Sequence, residues 1–432
     1  MSHPKRKNQR GIALVTVLIA IAITLVISNE FGTTTSTDMI AAANYRDQVR
    51  AKFLATSAQN LGELVIRIQQ RLDNIKQLRG MVQLTDYADQ LILPFCGGPE
   101  EVQAAIGFSS TQIKGLGADI GTCGFNGPIK TEDDKINVNC ANVAASWQTL
   151  QTALYALVYF PAYDSVFDDN DAQGWHRDRM QQVNAILDYI DRDTQMGSNR
   201  GTTEDYGYES LKDRYYAKNN YIDTVGELKL VRGVDDRFWT LFGNAFTVYG
   251  GCKTNLTALS NTQLIAAILY IAAKNPVDPV IQDQRRLFLL ASYIGKAKEF
   301  GENFQTLDDF ITFVKDPSAS VASLATSSAG SVQGSAAAAA LSAGLPGLQP
   351  GEKIGLELDK AKLAQIATAG PRRTYRVEAY GEIERKQKNK DGSPVFPPIR
   401  TTITGVWDTK VVPQSSRKTP IPNGAWVYLK ED

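Results

Sequence analysis

Three rhythms of apolar and polar residues divide the chain. Positions 12–27 are apolar apart from Thr16 and Thr24, and no charge interrupts the run before Glu30. Beyond about 38, the stretch "RDQVRAKFLATSAQNLGELVIRIQQRL" places Val49, Phe53, Leu54, Leu61, Leu64, Val65, Ile68 and Leu72 mostly at helical spacings, with charges between them. That is the period of one helix face. The pattern predicts a single long helix that leaves the apolar run, loosens near 32–37 and ends near 79. A loop-rich stretch follows to about 134. "KINVNC" then reads as a short strand, with Ile136 and Val138 alternating. "VAASWQTLQTALYALVYF" and "MQQVNAILDYIDRD" read as helices, the second with Val183, Ile186, Leu187 and Ile190 on one face. Thr224 with Glu227 three residues on forms a capping box, and "LKLVRGVDDRFWTLF" predicts helix, tight turn at Gly233, helix. "CKTNLTALSNTQLIAAILYIAA" repeats the earlier order of strand then helix, and "INVNCANV" bears a faint likeness to "TNLTALSN". Two more helices are predicted from "RRLFLLASYIGKAKEF" and "TLDDFITFVK".

Between 317 and 350 the composition collapses to Ala, Ser and Gly, which cannot bury a core and predicts a flexible excursion. The third rhythm comes after it. "YRVEAYGEIER", "IRTTITGVWDTKVV" and "AWVYLKE" alternate apolar and polar residues, with "KNKDGSP" as a turn between the first two. That alternation marks a half-buried antiparallel sheet. The expected class is α+β. The expected organisation is a leader over 1–11, a membrane and stalk helix over 12–80 and a loop-rich part with the first strand over 81–143. An inserted helical domain over 144–316, the excursion over 317–351 and the C-terminal sheet over 352–432 follow.

The apolar run has three readings. A bilayer core needs about 20 helical residues, whereas a cleaved signal has an apolar region of about 7–15 followed by a small-residue cleavage site. No convincing site of that kind follows here, so length favours an anchor over an ordinary signal. Lys5, Arg6, Lys7 and Arg10 hold the leader on the cytoplasmic side, leaving the rest outside. The third reading comes from the junction. A basic leader, Gly11 and then an apolar helix from Ile12 resemble the type IV prepilin signal. That resemblance implies cleavage by a prepilin peptidase between Gly11 and Ile12, N-methylation of Ile12, and retention of the helix as an assembly stalk. The usual pattern has Glu at the fifth mature position; this chain has Thr16.

Charge and cysteines narrow the classes further. Lys plus Arg and Asp plus Glu both number 46, so no one-sign field points to nucleic acid. Cys96, Cys123, Cys140 and Cys252 all lie beyond the apolar segment. In an oxidising compartment an even number favours disulfides, with three pairings open. We prefer Cys96 with Cys123, closing a Gly-rich loop, and Cys140 with Cys252. Zinc is disfavoured, because there is no C-x-x-C and His3 and His176 are the only histidines.

The motifs then converge. "ILDYIDRDTQ", "GTTEDYGYESL", "YAKNNYIDTVGELKLVRGVDDRFWTLF" and "CKTNLTALSNTQLIAAIL" resemble general secretion pathway protein K, the large minor pseudopilin of type II secretion. The resemblance covers about 6–75, 136–270 and 374–410. It implies a pilin-like domain interrupted by a helical insertion with helix-hairpin-helix-like subdomains. It also implies single-pass anchoring in the bacterial inner membrane with a periplasmic head. The implied partners are other minor pseudopilins, the major pseudopilin, the prepilin peptidase and secreted protein substrate. Members of this family lack the fifth-position Glu, as here. Cleavage leaves a charged amine in an apolar setting, which is costly when unpaired. In pilin-like filaments a neighbour's Glu is thought to compensate it, so a subunit with Thr16 fits a tip position with nothing above.

Two acidic clusters invite cations. Asp164, Asp168, Asp169, Asn170 and Asp171 lack EF-hand spacing and its terminal Glu, and read as a solvated loop. Asp188, Asp191, Asp193, Glu204 and Asp205 surround a Gly-rich loop, and the family resemblance implies calcium in this insertion. Enzyme signatures are missing: there is no P-loop, G-x-S-x-G or H-E-x-x-H. Gly115, Gly117 and Gly121 miss the dinucleotide spacing, and His176 has no evident nucleophile partner. "RGVDDRF" resembles the turn of nucleic-acid-binding helix-hairpin-helix modules, but neutral charge and export favour a packing role. The expected function is therefore a non-enzymatic minor pseudopilin at the pseudopilus tip. A minor pilin that primes a type IV pilus, and an anchored periplasmic binding or adaptor protein, are the alternatives.

Overall fold

The computed structural model describes residues 10–75, 83–97, 121–167, 178–197, 204, 208–209, 214–299, 302–317, 354–384, 397–411 and 424–432. Its first element is α1 (Arg10–Asp73), 64 residues of uninterrupted helix, about 96 Å long at 1.5 Å per residue. The expected loosening at 32–37 does not occur. Thr33 and Thr37 turn their hydroxyls onto Glu30 O and Thr33 O, both at 2.9 Å, so these residues satisfy themselves inside the helix.

The upper half of α1 lies on the sheet, and its small residues make the contact. Ala51, Ala55, Ala58, Val65 and Ile66 are buried, whereas Phe53, Leu64 and Ile68 stay 68, 52 and 41% exposed. Spacing placed all the large residues in one stripe that would pack at least partly on the chain's own domain; the structure turns three of them outward. The reason is how closely the sheet approaches. A Cβ at Gly381 would stand 2.1 Å from Ala51 O and 2.5 Å from Ala55 N, so strand and helix meet nearly backbone to backbone. Gly381→Ala should therefore destabilise the head by about 1–3 kcal/mol, read as an earlier thermal melt; an unchanged melt would show that the helix can ride outward.

The stretch expected to be loop-rich contains α2 (Ala88–Cys96), β1 (Thr122–Phe125) and β2 (Lys130–Thr131). It is followed by β3 (Ile136–Asn137), α3 (Ala144–Val158), α4 (Asp164–Phe167) and α5 (Arg179–Ile190). A capped 3-10 turn over Val225–Leu230 leads through Gly233, at φ +84°, into α6 (Asp236–Phe242), β4 (Phe246–Thr247) and β5 (Thr254–Asn255). The helices α7 (Thr262–Ala272), α8 (Pro279–Gln282), α9 (Gln284–Glu299), α10 (Leu307–Lys315) and α11 (Lys360–Ile366) complete a helical body. The chain ends with β6 (Ala367–Thr368), β7 (Thr374–Ile383), β8 (Ile399–Asp408) and β9 (Ala425–Glu431).

The main sheet runs β1-β7-β8-β9, with β2 also on β7, and every pairing in it is antiparallel. Along β7 buried and half-buried positions alternate from Val377 onward, as the period of two predicts. Its core joins Ala58, Val65 and Ile66 of α1 to Phe125, Tyr375, Val377 and Trp407. A second core fills the helical body with Leu154, Leu157, Ile186, Phe238, Phe242, Phe304 and Phe310. Ile354, Leu356, Leu358 and Leu363 belong to that second core, so the segment from 354 first completes the body and only then enters the sheet. The fold is α+β.

The faint internal likeness is a structural repeat. β3 pairs in parallel with β4, and β5 with β6. Asn137 accepts from Asn139 N at 3.1 Å and donates to Gly250 O at 3.2 Å; Asn255 accepts from Thr257 N at 3.1 Å and donates to Gly370 O at 3.1 Å. Each Asn ends its short strand and ties the turn to the next strand's segment. Body and sheet are joined by buried acids. Glu132 pairs with Arg376, with Lys135 at 3.1 Å and with the Thr247 hydroxyl at 2.7 Å. Burial pushes its carboxyl up, but Lys135, Arg376 and Thr247 outweigh that and hold it below its ordinary value. Two disulfides fix the remaining joints, Cys96–Cys123 between α2 and β1 and Cys140–Cys252 across the repeat. This is the pairing preferred from the sequence. The turn "KNKDGSP", the Gly-rich loop over 98–120, Asp168, Asp169, Asn170, Asp171, His176 and nearly all of the Ala/Ser/Gly stretch lie outside the described residues.

Candidate functional site

The acidic cluster is built by the end of α5 and the loop after it. Asp178 starts the helix by accepting from Met180 N at 2.7 Å and Gln181 N at 3.2 Å. Asp191 ends it as the C-cap, its N–H bonded to Leu187 O. Asp188 is three residues earlier and so shares that face of the helix. Asp193 accepts from Gln195 N at 2.9 Å, and the turn this makes brings Gly197 N to Asp188 Oδ1 at 3.1 Å. A Cβ at Gly197 would stand 3.0 Å from that same oxygen, so the loop closes tightly over the carboxylate.

One oxygen each from Asp191, Asp193 and Glu204 lies within 4.8 Å of the others. Oxygens bound to Ca²⁺ at about 2.4 Å from opposite sides stand at most about 4.8 Å apart, so the spacing fits one hard cation. Asp191 and Glu204 are buried and Asp193 is exposed. Trp147 of α3 donates its indole N–H to Asp191 Oδ2 at 2.9 Å, while Asp191 Oδ1, also buried, has no hydrogen-bond partner. Among the described residues no Lys or Arg pairs with Asp188, Asp191 or Asp193. Burial, with Asp191 and Asp193 adding to it against the Gly197 N–H, pushes the Asp188 carboxyl up to about 7. Burial also raises Asp191, reinforced by Asp193 and opposed by Trp147. Crowded carboxyls that resist ionising are the chemistry a divalent cation relieves. A cavity of about 750 Å³ lined by Asn142, Trp147, Gln151, Asp191, Asp193 and Gly197 opens beside them.

Of the five acids expected here, the structure brings Asp191, Asp193 and Glu204 together. Asp188 holds the loop through Gly197, and Asp205 lies outside the described residues. Trp147 was not legible as part of the site, because it is 44 residues upstream of Asp191 on a helix whose pattern signals only packing. The capping box is present at Thr224 and Glu227, and Asp235 caps α6 through Phe238 N at 2.9 Å. The cations around that turn meet the chain's own groups: Lys229 lies 5.0 Å from the Trp239 ring centre and Arg237 pairs with Asp235 at 3.3 Å. At the N-terminal end of α1, Gly11 and Ile12 fall in its first turn, and the Thr16 hydroxyl donates to Ala13 O at 2.9 Å.

One helix, 13–74 in its described part, is long and apolar enough to cross a membrane. That helix lies along the antiparallel sheet, and the helical body is inserted between β2 and β7. Residues 170–249 match the family model described as type II secretion system (T2SS), protein K. That segment, about a fifth of the chain, holds the acidic cluster and the capped hairpin, and it is what the chain shares with the K protein of type II secretion. Among solved structures, a chain of the GspK-GspI-GspJ complex from the enterotoxigenic Escherichia coli type 2 secretion system is similar at 13% identity and a TM-score of 0.48, over 90% of this chain and 99% of that one. No curated protein matches the chain.

Proposed function

We propose that the chain works at the tip of a type II secretion pseudopilus. There it helps start assembly beside other minor pseudopilins, caps the major pseudopilin and meets secreted protein. The observation that carries this reading is the uncovered face of α1. Phe31, Met39, Phe53, Leu64 and Ile68 are 71, 75, 68, 52 and 41% exposed, and at 100° per residue they fall on one side of the helix. The stripe is continuous with the apolar span below, so helices of neighbouring subunits have an apolar surface to pack on from membrane to head. Thr16 supports the tip position: its hydroxyl is bound within its own helix, and it offers no acid to a neighbour's amine. In this reading a prepilin peptidase cuts between Gly11 and Ile12, and Ile12 is N-methylated. The span sits in the inner membrane and the head in the periplasm. Asp191, Asp193 and Glu204 hold calcium, with Asp188 fastening the loop around it.

The test is at the stripe. Phe53→Asp with Leu64→Asp should abolish co-purification with the other minor pseudopilins and stop secretion, while the thermal melt stays within about 0.5 kcal/mol of the parent because both side chains are exposed. Retained co-purification would remove the stripe as the assembly surface.

A further inference from the structure

A second feature of the head has no part in that reading. Where the stalk, the sheet and the helical body meet, the structure encloses a cleft of about 800 Å³. Its cations are Arg67, Arg71, Lys253, Arg372, Arg373 and Lys410; its acids are Asp73 and Asp133. Both acids are already engaged. Asp133 accepts from the backbone N–H groups of Arg373 and Thr374, and Asp73 accepts from Gln69 at 2.9 Å. Four of the cations are likewise held: Arg67 by Glu63 at 2.8 Å, Arg372 by Asp86 at 2.8 Å, Arg373 by Asp408 at 2.8 and 2.6 Å, and Lys253 by Ala364 O at 2.6 Å. Among the described residues Arg71 and Lys410, both exposed, have no ion pair. With the pairing acids Glu63, Asp86 and Asp408 counted beside Asp73 and Asp133, six cations face five acids, and the charge open to a ligand is that of Arg71 and Lys410 on the concave wall, where such a field is focused.

We infer that this cleft binds a carboxylate-rich extended segment of another protein. Lipid headgroups are out of reach. Arg71 stands 42 residues beyond Asn29, where the apolar span ends, which is about 63 Å along the helix. A single small anion does not match the layout either. Arg71 on the stalk, Lys253 after the second disulfide and Lys410 after β8 present their charges from three separate walls, which suits acids spaced along a chain. The exposed guanidinium and ammonium groups give the cleft a salt-dependent hold, and the paired arginines keep its walls in place.

The probe is a fluorescein-labelled hexaglutamate peptide, with hexaglutamine and inorganic phosphate as the comparison ligands, read by anisotropy on the full chain in non-ionic detergent. Hexaglutamate should bind and weaken as salt rises; hexaglutamine should not bind. Arg71→Gln with Lys410→Gln should weaken binding about tenfold, the loss of two pairs, while Lys52→Gln, at an exposed remote pair, leaves it unchanged. Lys410→Gln alone gives the same direction if the double variant melts early. The inference is overturned by equal binding in the variants, or by phosphate displacing the peptide at matched charge concentration. Neither result touches the tip assignment, which is read at Phe53 and Leu64.

Discussion

Replacing Cys140 and Cys252 together by serine should cost about 4–5 kcal/mol of stability by the chain-entropy relation, since the bond closes 112 residues of chain. That closed segment contains α3, α4, α5 and α6, so the loss falls on the helical body. The other bond closes only 27 residues, and its removal should cost about 3.5 kcal/mol by the same relation. Urea unfolding of the two double variants beside the parent checks both the size and the order. If the Cys140 and Cys252 pair could be removed with no shift in midpoint, the packing of the repeat alone would be holding the body closed.

Calcium should stabilise the head by about 2.7 kcal/mol when present at a hundredfold over its dissociation constant, a rise of roughly 5–10 °C in the melt of a domain this size. Asp191→Asn should remove the gain, because it takes away a buried oxygen, Oδ1, that has no other partner. The effect should depend on pH with a definite sign. Asp188 is raised from 3.8 to about 7 in the folded chain. Without a cation, the folded state therefore holds this proton more tightly than the unfolded one. That contribution is complete below about pH 4 and is lost as pH rises through about 7. A bound cation takes over where the proton leaves, so the calcium-induced shift should be larger at pH 8 than at pH 5.5. Melts in calcium and in chelator at both values decide it; equal melts at pH 8 would leave the cluster as an acidic turn.

How far the sequence carried depended on how local each cause was. The helix at Arg179–Ile190, the box at Thr224 and Glu227 and the alternation along β7 all arise within a few residues, and all were readable. β1 and β2 were not: their partner is β7, whose residues Glu382 and Arg376 face Thr122 and Lys130 from some 250 positions away. The helix over 88–96 was hidden by Pro94 inside it. The spacing of Phe53, Leu64 and Ile68 was legible, but not their direction, because that is decided by Gly381 pressing the sheet onto Ala51 and Ala55. The acids of the site announced themselves by composition, whereas Trp147, which orients one of them, reads as an ordinary core residue.

The splice between body and sheet has an architectural consequence. The chain leaves the sheet at Lys130 and Thr131, which face Arg376 and Tyr375, and it returns at Thr374; Asp133 fastens the exit to the return through the N–H groups of Arg373 and Thr374. Some 240 residues thus pass through a doorway one strand wide. A filament packed by its helices meters each subunit by the girth of the stalk, and at this doorway the girth is unchanged. Bulk added beyond the doorway widens the crown without widening the shaft. A chain built this way can carry a head too broad to be stacked between neighbours on a stem that still fits beside them.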